Sequence, residues 1–306
     1  MNLVRSTFSA LLISFAASVL AWDAIPRKVA DGIYVFVGEN GPRTVENEGM
    51  NATTGFVVTD VGVVVIDSGS SKQVAQKIQA AIRGVTDRPV ALVINTGGQD
   101  HRWLGNSHFV DQGIPVLAHE KTVADLAERG GMLAESQARL LGPAFEKTRI
   151  QPPTRSFTTR ETLTVGGERI ELIFAGGGHT PGDILVWLPR SRIVFAGDVV
   201  YVDRLLGVLP MSSVRRWLDS FAALEALQPA LVIPGHGAPG PLVKAQKETR
   251  DYLLRVHNHM KRAVDAGVDM QTAIRTLDDG NFAYLPVYSE LRGPNANRTY
   301  LEVEAE

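Results

Sequence analysis

The chain has 306 residues, a formal net charge of −2 and no cysteine. So even a balance gives no electrostatic footprint for nucleic acid. The missing thiols exclude disulfides, a lipid-modified cysteine anchor and thiolate ligation, so any metal must be held by His, Asp or Glu.

In chain order, Arg5 is followed by an apolar segment from Phe8 to Leu20 that closes on Val19-Leu20-Ala21. A positive start, a short apolar run and small residues at its end predict a secretory signal over 1–21, cleaved after Ala21. The mature chain, 22–306, is then expected to be a single domain, periplasmic or secreted, with no membrane span and one unit more negative for the loss of Arg5. Alternation at Ile33, Val35 and Val37 predicts a strand. Gly55 to Thr59 and Val63 to Asp67, joined through Asp60-Val61-Gly62, predict a hairpin. Ser68-Gly69-Ser70-Ser71 opens a helix from about Lys72 to Arg83, and Val90 to Ile94 reads as a buried strand. A short strand at Val116 to Ala118 and an amphipathic helix from Lys121 through Arg139 follow, stopped before Pro152-Pro153. Thr162 to Val165 and Glu168 to Phe174 flank Gly166-Gly167 as a second hairpin. Strands at Ile184 to Leu188, Ile193 to Ala196 and Ala230 to Ile233, helices at Ser213 to Leu227 and Leu242 to Ala266, a further short helix and an extended tail complete the pattern. Hairpins first, then alternating strands and helices, predict α+β architecture with helices covering mixed sheets.

Four Gly-rich turns carry candidate chemistry: Asp100-His101, within Asn95 to Asn106; Gly176-Gly177-Gly178-His179-Thr180-Pro181-Gly182-Asp183; Phe195-Ala196-Gly197-Asp198; and Pro234-Gly235-His236-Gly237. Each ends an apolar strand, where open sheets place ligands. Imidazoles and carboxylates that converge in a cleft suit a divalent metal. Taken singly, Asp100 has the bland role of a helix cap. Asp67 reads as structural, bonded to the backbone amides of a neighbouring loop. His108 and His119 read as structural, His257 and His259 as solvated surface, and Trp103 and Tyr201 as packing.

At these turns, and at Val65-Ile66-Asp67-Ser68-Gly69, the sequence resembles the metallo-β-lactamase-fold hydrolase superfamily over about Lys28 to Glu304. More narrowly, Asn95 to Asn106 and Gly197 to Arg204 resemble the exported quinoprotein relay system zinc metallohydrolases. The resemblance implies a four-layer αββα sandwich with a metal cleft at one edge of the paired sheets. It also implies a periplasmic quinoprotein or sulfur-oxidation system as context and partner.

The chain departs from the superfamily motif His-x-His-x-Asp-His: Thr96 and Gly98 stand where its two leading His belong. The resemblance therefore implies loss of the first metal position and retention of the second. The expected ligand set is Asp100, His101, His179, Asp198 and His236, with His179 either a ligand or a free imidazole beside the ion. One zinc is expected rather than two, and the donor set also suits manganese or iron. By analogy Asp100 orients or deprotonates a metal-activated water, and His179 hydrogen-bonds the oxyanion or protonates the leaving group. The expected activity is hydrolysis of a small ester, thioester or lactone, with Gly97 and Gly98 leaving room for substrate or water. The alternative is a catalytically degenerate metal- or ligand-binding accessory protein, in which those glycines are simply relaxed.

Overall fold

The computed structural model describes residues 22–306, so the predicted signal at 1–21 lies outside the described residues. The first sheet is built from β1 (Arg27–Ala30), β2 (Ile33–Phe36), β3 (Thr54–Val58), β4 (Val63–Ile66), β5 (Val90–Ile94), β6 (Val116–His119) and β7 (Arg155–Phe157), paired in that order. The second runs β12-β11-β10-β9-β8, from β8 (Arg160–Val165), β9 (Glu168–Phe174), β10 (Ile184–Leu188), β11 (Ile193–Phe195) and β12 (Leu231–Ile233). Both predicted hairpins form. The β8–β9 turn places Gly166 and Gly167 at φ of 51° and 78°, the left-handed pair that a type I′ turn demands.

Strand alternation sorts the core into layers. Val64, Ile66, Leu92, Ile94 and Leu117 of the first sheet face Leu172, Ile184, Val186, Phe195 and Ile233 of the second. The other face of the first sheet, through Val63, Val65 and Val93, packs on Val74, Ile78 and Ile82 of α1 (Lys72–Arg83). Beyond the second sheet, Val194 and Val232 pack with residues of several helices. Helix, sheet, sheet, helix is the expected αββα sandwich.

Helices α2 (Asp100–Trp103) and α3 (Asn106–Val110) follow β5, and α4 (Glu120–Leu141) follows β6. The predicted 242–266 helix is α6 (Leu242–Ala245), a π-helical turn at 246–250 and α7 (Asp251–Asp265), after α5 (Val214–Ala226). α8 (Met270–Thr276) is the predicted short helix. One expectation fails, since the expected extended tail is helix α9 (Tyr288–Glu304); edge strand β7, just after Pro152-Pro153, is an addition. Gly293-Pro294 reads as a breaker, yet Ala296, Tyr300 and Val303, at helical spacing, are buried against the helical layer and override it.

Candidate metal centre

The site grows from the ends of β4, β5, β11 and β12. After β4, Asp67 adopts φ 66° and turns its carboxylate back on the neighbouring loop. It accepts from the Thr96 amide at 2.7 Å and the Thr96 hydroxyl at 2.8 Å, the structural role expected for it. Asn95 donates to the Arg102 carbonyl at 2.7 Å and pairs reciprocally with Asn106. Side chains thereby clamp the short α2, whose one turn has little stability of its own.

α2 delivers His101 to Asp198 and His236. One ligand atom from each of these residues lies within 4.8 Å of the other two, and all are buried. His236 Nε2 stands 3.2 Å from Asp198 Oδ1, and His101 Nε2 3.8 Å from Asp198 Oδ2. His236 donates from Nδ1 to the Asn51 carbonyl at 2.6 Å, which fixes the tautomer with Nε2 as the acceptor. Tyr201 stacks on the same imidazole at 4.4 Å between centroids. Burial pushes the pKa of His236 down to about 3 and that of His101 well below its ordinary value, so both rings are neutral near pH 7. Asp198 is held well below the usual carboxylate range: burial opposes its charge, but the Arg102 guanidinium outweighs that.

Asp100 and His179 lie outside this three-residue cluster. Asp100 accepts from the adjacent His101 amide at 2.9 Å through Oδ1, and its Oδ2 is ion-paired with Arg43; it does not cap α2. His179 donates from Nδ1 to the Gly207 carbonyl at 2.9 Å. Its ring borders the same cleft as His101 and His236, and burial lowers its pKa. Of the five predicted residues, His101, His179 and His236 line the cleft, and His101, Asp198 and His236 are close enough together to hold one ion.

Arg102, to which the sequence assigns no role, pairs with both Asp198 and Asp67. Fully buried, it donates Nε and Nη2 to the two oxygens of Asp198 at 3.1 and 2.7 Å, and Nη1 to Asp67 at 3.0 Å. Further bonds reach the carbonyls of Thr53 and Gly235. An arginine directly after the candidate ligand His101, in a polar, Gly-containing loop, was the available signal.

The space at Gly97 and Gly98 proves filled, while Gln99 borders the cleft. A side chain begun at Gly97 would meet Asp183 Oδ1 at 2.3 Å, and one at Gly98 would meet Asp125 Oδ2 at 2.1 Å. Asp183 is held by the Thr180 amide at 2.7 Å and by the Thr180 hydroxyl, and Asp125 by Arg129. The expectation that Gly97 and Gly98 open space for substrate is therefore corrected: they are glycines because carboxylates pack against them. Tyr201 also departs from expectation, lining the cleft as well as packing. Trp103 is buried and donates to the Gly98 carbonyl at 3.1 Å. His119 caps α4, and His108 bonds Gln79, both structural as predicted. His259 bonds the Ala273 carbonyl at 2.8 Å rather than standing in solvent.

The family model of the metallo-beta-lactamase superfamily matches residues 48–236, which span every turn of the site. The chain belongs to the metallo-beta-lactamase superfamily. Metallo-beta-lactamase IND-1 of Chryseobacterium indologenes is 27% identical over 190 residues, 61% of this chain and 72% of that one. A linear primary-alkylsulfatase of Pseudomonas sp. (strain ATCC 19151) is 20% identical over 244 residues, 68% of this chain and 46% of the relative. Among solved structures, a metallo-beta-lactamase from Pontibacter korlensis superposes with a TM-score of 0.61 at 24% identity, covering 74% of this chain and 97% of that one. That likeness shows the shared fold.

Members of the superfamily typically bind zinc, and the cluster fits such an ion. His236 Nε2 and both ring nitrogens of His101 are buried without a hydrogen-bond partner. Unpaired buried acceptors are costly, and a cation satisfies them.

Proposed function

We propose that this protein is an exported metal-dependent hydrolase that acts on a small ester, thioester or lactone at a single-ion site. The observation that carries the reading is the unpartnered Nε2 of both His101 and His236, facing Asp198 beside a cleft of about 310 Å³. His101, Asp198 and His236 would hold the ion. One ion is favoured over two by Arg102, which binds both oxygens of Asp198 and so opposes a second cation on that carboxylate. When bound, the ion supplies Lewis acidity, polarising a carbonyl and bringing the pKa of water down towards neutrality.

The chain's own groups complete the chemistry. Nδ1 of His179 is committed to Gly207, so its Nε2 acts as an acceptor that takes a proton from water and returns it to the leaving group. That reverses the oxyanion-donor role expected from analogy. Arg43 fixes Asp100, to which the reading gives the orientation of the attacking water. Export to the periplasm rests on the apolar segment before Ala21, and a quinoprotein system as partner rests on the motif resemblance alone.

Metal analysis of the purified protein, with a panel of esters, thioesters and lactones, tests the reading. About one ion per chain is expected, lost in His236→Ala, with turnover that falls in Asp100→Ala and His179→Ala. Absence of a stoichiometric metal would overturn it.

A further inference from the structure

Helix α9 reaches both the cleft and the loop that walls it. Leu291 borders the cavity beside Gly207, Leu209 and His179. One helical turn on, Asn295 is fully buried. Its side-chain nitrogen donates to the Leu206 carbonyl at 2.8 Å, and its side-chain oxygen accepts from the Val208 amide at 2.7 Å. The two bonds bracket Gly207, whose carbonyl accepts from Nδ1 of His179 at 2.9 Å. At the far end of the same loop, Glu302 of α9 accepts from the Ser213 hydroxyl at 2.6 Å and the Val214 amide at 2.7 Å. The loop in turn grips the backbone at His179. The Ser212 hydroxyl donates to the His179 carbonyl at 2.7 Å, and the Ser213 amide donates to the Gly178 carbonyl at 3.0 Å.

Glycine is the least restrained backbone unit, so the aim of the Gly207 carbonyl depends on what holds its two neighbours. A neutral imidazole keeps its proton on the nitrogen that faces an acceptor. We propose that Asn295 is a positioning residue for His179: by bracketing Gly207 it holds the Nδ1–H tautomer, which leaves Nε2 as the acceptor. The use of that acceptor in turnover rests on the hydrolase reading, whereas the tautomer itself does not. Helix α9 thereby serves the cleft as well as the helical layer.

The test uses the protein loaded with zinc, its histidines labelled for nitrogen magnetic resonance. The ring-nitrogen shifts of His179, assigned by their loss in His179→Gln, report which nitrogen carries the proton. In the unaltered protein Nδ1 is expected to carry it. Asn295→Ala should give a mixed tautomer and a kcat for ester hydrolysis lower by about 10- to 100-fold, with KM within about twofold. Tyr300→Phe is the control on the same helix, since it removes a bond to the Val268 carbonyl, outside the loop. It should lower the melting temperature and leave the tautomer and kcat unchanged. A proton that stays on Nδ1 in folded Asn295→Ala, or a tautomer that Tyr300→Phe disturbs as much, overturns the proposal. Should Asn295→Ala fail to fold, Asn295→Ser, which keeps a hydroxyl in the pocket, decides by the same readout. A tautomer that depends on Asn295, without turnover of any ester, thioester or lactone, breaks the hydrolase reading and leaves the positioning role standing. Turnover that needs His179 but not Asn295, with the tautomer unmoved, does the reverse.

Discussion

Two halves of one ligand set lie at the same end of the sandwich and have diverged. At 96–99, Thr96 is bonded to Asp67, and Asp183 and Asp125 press against Gly97 and Gly98. A few ångströms on, His101 and His236 keep unpartnered nitrogens beside Asp198. At Thr96, Gly97 and Gly98 neighbouring side chains fill the space and bond the loop, whereas His101 and His236 keep buried ring nitrogens that a cation would satisfy. Loss of ligands did not leave a void, because an unfilled polar cavity would itself be costly. Arg102 joins the halves, with one arm on Asp67 and two on Asp198.

The severest way to break this comparison is Arg102→Met. It leaves Asp198 and Asp67 buried without their counter-charge and should cost about 3–5 kcal/mol, read from denaturant-induced unfolding. A loss below about 1 kcal/mol, the ordinary mutational range, would mean that the guanidinium does not tie the halves together.

The second effect is the pH dependence that Asp183 adds beside Gly97. Burial, reinforced by Asp198, raises the pKa of Asp183 to about 8. The folded protein therefore holds a proton there that the unfolded chain releases near pH 4, so this group's contribution to stability falls as pH rises from about 4 to about 8. Asp183→Asn, which cannot ionise, should flatten that slope in unfolding measured across the window. An unchanged slope would place the proton elsewhere.

Reading the sequence found the retained half and misread the rebuilt one, for a physical reason. Ligand turns announce themselves locally: Asp198 and His236 each sit in a Gly-rich turn at a strand end, so residue type and position speak together. The infill at Gly97 and Gly98 comes from Asp183 and Asp125, carried on other elements, and no local pattern connects them. A glycine that opens space and a glycine that yields to a neighbour look identical in sequence. Arg102 was missed likewise, since an arginine read alone is a surface residue and only packing shows what it faces. Strand and helix positions, set by local periodicity, were legible over most of the chain. The failure at α9 came where burial of Ala296, Tyr300 and Val303 overrode Pro294.

Restoring the motif imidazole with Gly98→His sharpens the comparison further. The new Cβ would meet Asp125 Oδ2 at 2.1 Å, and that carboxylate cannot swing away freely because Arg129 grips it. A destabilisation of about 1–3 kcal/mol is expected, with no gain of a second ion by metal analysis. Adding Asp125→Ala should return part of the stability. A second ion bound by the single variant would show that the first half is vacant after all.

The smallest effect concerns the retained half alone. Tyr201 lies against His236 with ring planes 14° apart, so the imidazole is held by that stack on its face and by the Asn51 carbonyl at its edge. Tyr201→Leu keeps apolar bulk but gives up the aromatic contact, worth about 0.5–1.5 kcal/mol beyond its area. The Nδ1 bond still fixes the tautomer, so the ring gains only a rocking freedom about that bond. Metal affinity should fall by about tenfold, the lower end for groups that orient a ligand, and competition with a chelator would measure it. If affinity were unchanged, the Asn51 bond alone would suffice to aim Nε2. The retained half would then owe its form to hydrogen bonding, as the rebuilt half does.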